Sequence, residues 1–305
     1  MKKRRLSKRT LRNWLYAYMF LAPWIIGVLV LVVYPLINSF NFSLNTVRMM
    51  PKGMLLMPVG FKNYHDLFVV DTTFLQALIG FAVRTVPEVA IITTFSLVIS
   101  IMLNQKIKAR GFFRSIFFLP VIIATGPVMN ELVSQGAATV PIVNAQAIAE
   151  AVSFLPVWVS DPIVDMFSSL ILILWNSGVQ ILIFLAALQK VSPALYEAAK
   201  IDGGSGWECF WKITMPSIRP MILLNAIYTV IWLATGGQNE IIDLIYDNMF
   251  ASSRGYGYAS AQAWTYSVAI LLMLGLFWRL LRVPPDKSDK IERKKRERFK
   301  KGARR

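Results

Sequence analysis

Long apolar runs, separated by polar or proline-bearing segments, dominate the pattern of this chain. Six stand out, over about 15–40, 78–103, 113–135, 166–188, 218–235 and 261–281. Roughly twenty apolar residues in a helix match the hydrocarbon thickness of a bilayer, so each run predicts a membrane span. The weakest is 218–235, which is short and ends in Gly236-Gly237. Hydrocarbon offers no partner to a bare N–H or C=O, and the two-residue alternation of a barrel strand is absent. The fold class is therefore an all-α integral membrane protein of about six transmembrane helices. No internal repeat or inverted symmetry is visible, and six spans are few for a self-contained transporter, which points to a partner chain.

The polar segments differ in character. Residues 41–77 form an outer segment with Pro51, Pro58 and the patch Val59-Gly60-Phe61-Lys62-Asn63-Tyr64; 104–114 is a short inner loop. The outer segment 136–165 is broken by Pro141, Pro156 and Pro162, with room for a surface helix near 144–154. The outer loop 236–260 carries Gly255-Tyr256-Gly257-Tyr258. Most informative is the inner loop 189–217. Ser192-Pro193 is a helix start, a polar cap followed by proline at the first helical position. Ala194–Ile201 continue as strong helix formers, and Asp202-Gly203-Gly204 end the helix because glycine accepts a left-handed turn. A second short helix, about Gly206–Ile213, carries Trp207, Phe210 and Trp211, with Pro216 expected to stop it. Two readings fit this helical pair: docking into a cleft of a soluble partner, or an amphipathic hairpin whose tryptophans rest among lipid headgroups.

Composition agrees with a membrane protein: 55% of residues are apolar, 16% charged, and mean hydropathy is +0.51. A soluble domain carries about a quarter charged residues. The net charge of +16 is unevenly spread. Residues 1–14 hold seven Lys/Arg, 104–114 four, 189–220 four and the chain from Arg279 onward thirteen, together 28 of 33. If the spans alternate, these all fall on one side, which is the positive-inside bias and places both termini in the cytoplasm. The basic tail then faces anionic headgroups or solvent rather than nucleic acid. The expected organisation is a basic arm 1–14, a membrane domain 15–282 and a basic tail 283–305. The first apolar run is long and lacks a small-residue cleavage site, so it reads as an uncleaved signal anchor. Cys209 and His65 are each the sole residue of their type, so neither a disulfide framework, a His/Cys metal site nor a Ser-His-Asp triad on the inner side is expected.

The inner loop also carries a resemblance. Glu197-Ala198-Ala199, two residues, Asp202-Gly203-Gly204, then Phe210, Ile213, Pro216 and Pro220 resemble the cytoplasmic loop signature of permease subunits in binding-protein-dependent ABC sugar importers. Phe20-Leu21-Ala22-Pro23, Tyr34-Pro35, the 59–64 patch, Arg110-Gly111-Phe112-Phe113-Arg114 and Phe118-Leu119-Pro120 are similar to that group's other segments, in order. The chain departs from the pattern at Gly204, usually alanine, and Met215, usually leucine. The 136–165 segment and the basic tail have no counterpart. The resemblance implies a type I importer permease fold in a bacterial or archaeal plasma membrane. It implies three partners: a second permease, an ABC ATPase dimer carrying ATP and Mg, and an external solute-binding protein. Glu197, Ala198, Ala199, Asp202, Gly203, Phe210 and Pro216 would couple to the ATPase. The chain itself has no Gly-Lys dipeptide and hence no phosphate-binding loop of its own.

Candidates for the substrate path are polar residues within the spans, because lipid does not tolerate them cheaply. They are Trp175, Asn176 and Gln180 on the fourth span and Trp232, Gln238 and Asn239 at the fifth, with Asn130, Glu131 and Gln135 near the third. Amides beside aromatic planes suit a sugar, though the same residues also serve as interhelical hydrogen bonds. A glycerol phosphodiester or polyamine stands as the alternative solute. A stand-alone secondary transporter would need paired buried acids, and Arg84 and Glu88, four apart, read instead as a structural ion pair.

Overall fold

The computed structural model describes residues 8–51, 53–105, 111, 150–154, 156, 160, 164, 177–236, 239–251 and 254–282. The expected third span 113–135, the beginning of the fourth, most of 136–165 and the tail from 283 lie outside the described residues. So do Trp175, Asn176, Gln238, Asn130, Glu131 and Gln135.

Among the described residues four helical stretches are long and apolar enough to cross a membrane: Asn13–Ser43, Thr72–Asn104, Gly206–Phe250 and Gly255–Leu281. Gly178–Lys190 together with Pro193–Ile201, bent by 61°, makes a fifth if the pair is counted as one. The chain is a mostly helical, multi-pass membrane protein. The first stretch buries none of its apolar window within the protein, which leaves its Phe20, Trp24 and Leu31 for lipid or another subunit.

Two prolines within long helical stretches, Pro35 and Pro216, are accommodated by the same device. A π turn, Leu29–Val33, joins Lys8–Val28 to Tyr34–Ser43 just ahead of Pro35; another, Phe210–Thr214, joins Gly206–Cys209 to Met215–Thr235 just ahead of Pro216. Proline cannot donate to the carbonyl four residues back, and that carbonyl lies in the widened turn in both cases. Pro216 therefore does not stop the second inner helix, contrary to the sequence expectation. The helix runs on without a break into the membrane-crossing stretch Met215–Thr235.

The helices divide between two compact units, 1–79 with 240–268 and 80–239 with 269–305. In the first unit the segment 41–77 holds an antiparallel hairpin, Asn45–Met50 against Gly53–Pro58, with Asn45 opposite Pro58 and Met50 opposite Gly53. The sequence did not announce these strands, because most of their side chains are exposed on both faces and the apolar run Met54–Met57 shows no alternation. A further amphipathic helix, Glu240–Phe250, fills much of the loop 236–260; Glu240 and Asp243 in its first turn complement the helix dipole.

In the second unit Val89, Ala226, Val230, Met273 and Phe277 form one buried cluster, and Leu103, Ile181 and Leu185 another. Ser100 donates to the Ile181 carbonyl at 2.9 Å, and its small side chain allows the two helices to approach. Arg84 and Glu88 pair at 3.8 Å, as the four-residue spacing implied.

Candidate functional site

The loop 189–217, expected on the inner side, folds into a helical hairpin. Pro193–Ile201 starts at Ser192 with proline in its first turn, although the serine side chain makes no capping bond. The helix ends at Asp202, and Gly203 follows at φ +80°, a left-handed conformation that side chains rarely adopt. Gly204 donates to the Ala199 carbonyl at 2.7 Å, and a methyl group there would come within 2.8 Å of the same oxygen. This close return fits the departure from alanine at that position.

The second helix begins with a reciprocal cap: Ser205 Oγ accepts from the Glu208 N–H at 3.2 Å, and Glu208 accepts from the Ser205 N–H at 3.0 Å. The Ser205 backbone hydrogen bond and Lys212, at 3.1 Å, hold the Glu208 carboxyl down to about 2. The Tyr196 and Thr214 hydroxyls share a hydrogen bond of 2.8 Å and tie the two helices together. The hairpin presents Glu197, Ala198, Asp202 and Gly203 exposed, with Ala199 and Phe210 half-buried and Pro216 exposed. Leu195 and Ile201 add apolar surface, Ile201 being 86% exposed. Acidic and apolar groups together on a rigid, uncovered hairpin are what a cleft in another protein needs. Gly203→Ala should reduce ATP-coupled transport severalfold, since forcing alanine left-handed costs about 1–2 kcal/mol. Gly206→Ala, at an unstrained and open position, should not.

Of the substrate-path candidates, three are described. Gln180 is fully buried; its amide donates to the Thr229 hydroxyl at 3.0 Å, and its backbone carbonyl accepts from Asn225 at 3.3 Å. Its Oε1 and Asn225 Oδ1 are buried with no hydrogen-bond partner among the described residues. Asn239 caps the fifth span by donating to the Leu233 and Ala234 carbonyls. Trp232, half-buried, stacks on Tyr228 at 6.3 Å.

One cluster was missed by the sequence reading. Asp71 accepts from the Thr73 and Phe74 N–H groups, from the Tyr258 hydroxyl at 2.7 Å and from Arg254. Burial raises its carboxyl, but the hydrogen bonds of Tyr258, Phe74 and Arg254 outweigh that and leave it below the usual value. Nearby, Asn63 donates to the Ser43 and Asn45 carbonyls and Tyr64 to the Ser43 hydroxyl, which accounts for the 59–64 patch. An acid directly before Thr72-Thr73 and an apolar run was the available signal, that of a helix cap.

No family model matches the chain. It is 32% identical to the lactose transport system permease protein LacF of Rhizobium radiobacter, over 75% of this chain and 74% of that protein. It is 28% identical to the probable ABC transporter permease protein YesP of Bacillus subtilis, over 89% and 92%. Among solved structures, a chain of a bacterial alginate ABC transporter, in complex with its alginate pentasaccharide-bound periplasmic protein, superposes with TM-score 0.65. The identity is 20%, and the match covers 91% of this chain and 97% of that one. The chain belongs to the permease subunits of ABC transporters, transport components whose ATP hydrolysis is carried out by separate ATPase subunits.

Proposed function

We propose that this subunit forms half of the translocation pathway for a carbohydrate, an oligosaccharide in the first instance, delivered by an external solute-binding protein. The observation that carries the coupling half of this reading is the exposed hairpin Pro193–Thr214, with Glu197 and Asp202 around the left-handed Gly203. The membrane domain 15–282 has six spans in this account, both termini lie in the cytoplasm, and the cell membrane is bacterial or archaeal. Glu197, Ala198, Ala199, Asp202, Gly203, Phe210 and Pro216 contact an ATPase dimer that holds ATP and Mg. Closure of that dimer draws the hairpin inward and swings the spans as rigid bodies between two states, which nucleotide biases by binding one better than the other.

The sugar assignment is supported by relatives named for lactose, arabinooligosaccharides and trehalose/maltose. Buried uncharged amides such as Gln180 and Asn225, whose side-chain oxygens have no partner among the described residues, can accept hydrogen bonds from a hydroxyl-rich solute. In proteoliposomes holding the complete transporter, ATP hydrolysis should rise severalfold when the binding protein is loaded with a neutral oligosaccharide. Stimulation by a glycerol phosphodiester or a polyamine, with none by sugars, would overturn the carbohydrate assignment.

A further inference from the structure

Beside its ATPase-coupling residues the hairpin carries two exposed tryptophans, Trp207 and Trp211, to which docking gives no role. Trp207, Phe210 and Trp211 form a closed aromatic cluster, with ring centroids 6.0, 5.6 and 5.0 Å apart. Trp207 is 70% exposed and Trp211 50%. The cluster lies not on the Pro193–Ile201 helix with its acids but on the helix that continues, through the π turn, into the fifth span.

That continuity supplies a ruler. At about 1.5 Å per residue, Trp211 and Trp232 stand about 31 Å apart along the helix, close to the roughly 30 Å of bilayer hydrocarbon. Tryptophan prefers both edges of that layer, where an apolar ring can be buried while its N–H meets water and headgroups. Trp232 with Tyr228 stacked on it lies at one edge, and Trp211 with Trp207 one turn further lies at the other.

We infer that Trp207 and Trp211, the exposed members of the cluster, form an anchor in the inner headgroup layer, occupied by lipid rather than by the ATPase. It fixes how far the coupling helix stands from the membrane. The capping box at Ser205 and Glu208 and the Tyr196–Thr214 hydrogen bond make the connection stiff, so the anchor's depth is passed on to Glu197. The inference rests on the proposed cytoplasmic placement of this loop.

The test uses the whole transporter labelled with 5-fluorotryptophan, in nanodiscs containing a lipid with a gadolinium chelate on its headgroup. Fluorine resonances of the two residues are assigned from Trp207→Phe and Trp211→Phe. Both lines should broaden severalfold with the gadolinium lipid, and should do so equally after the ATPase has been stripped away. Lines that stay sharp overturn the anchor, and lines that instead shift on ATPase removal give the surface to the ATPase. Failure of the unaltered chain to retain an ATPase would sink the coupling reading separately, whatever the lipid result.

Discussion

Glu197→Lys should strip the ATPase from the complex while leaving the chain inserted in the membrane. Glu197 is exposed near the middle of the Pro193–Ile201 helix, and lysine preserves helix propensity there, so the hairpin keeps its fold. The substitution acts only on what the hairpin meets. Losing one partner of a charge pair in an interface costs on the order of 2–5 kcal/mol, and a reversed sign adds repulsion. Taking about 3 kcal/mol, affinity for the ATPase falls roughly a hundredfold. Co-purification from native membranes and sugar uptake read the effect directly. Uptake at the unaltered level in the variant would remove Glu197 from the coupling role.

Asp71→Ala should destabilise the chain by on the order of 3 kcal/mol. The side chain is 4% exposed and serves two ends at once. It caps the helix Thr72–Asn104 through the Thr73 and Phe74 N–H groups, and it receives Tyr258 and Arg254 from the start of Gly255–Leu281. Loss of a cap costs about 1 kcal/mol, and stranding a partly buried arginine adds to it. Arg254 is 37% exposed, so water recovers part of the second term. The sign with pH follows from the lowered carboxyl. Its contribution is complete above the ordinary value of 3.8 and is lost as pH falls below it. Thermal unfolding in detergent should therefore show the wild-type advantage over Asp71→Ala at pH 7 and its decline toward pH 3. Equal melting temperatures at pH 7 would contradict the structural role of the cluster.

The parts of the molecule that were legible in the sequence are those where one local pattern has one physical outcome. Twenty apolar residues have few options in a bilayer, so the spans near 15–40, 78–103, 218–235 and 261–281 correspond to helices at Asn13–Ser43, Thr72–Asn104, Met215–Thr235 and Gly255–Leu281. Their ends ran further than hydropathy suggested, since Thr72, Thr73 and Gly255–Ala259 are polar or small yet belong to the helices. The turn at Gly203 was legible for the same reason: Asp-Gly-Gly after strong helix formers leaves a left-handed stop. Pro216 misled because its effect depends on the preceding turn, and a π turn is invisible in the proline itself. The hairpin 45–58 and the Asp71–Arg254–Tyr258 cluster were hidden for other reasons. The hairpin's strands are mostly exposed and lack alternation, whereas the cluster joins partners 187 positions apart, Asp71 and Tyr258, which no local spacing encodes.

The central claim is that an ATPase seats on the inner hairpin. Ile201, 86% exposed beside Asp202 and Gly203, is the position from which to test it. A photo-reactive phenylalanine analogue placed there, and activated in native membranes, should join this chain to an ATPase subunit, with the yield changing when ATP is added. A crosslink to an external solute-binding protein, or an ATPase that co-purifies without ever crosslinking, would contradict the account.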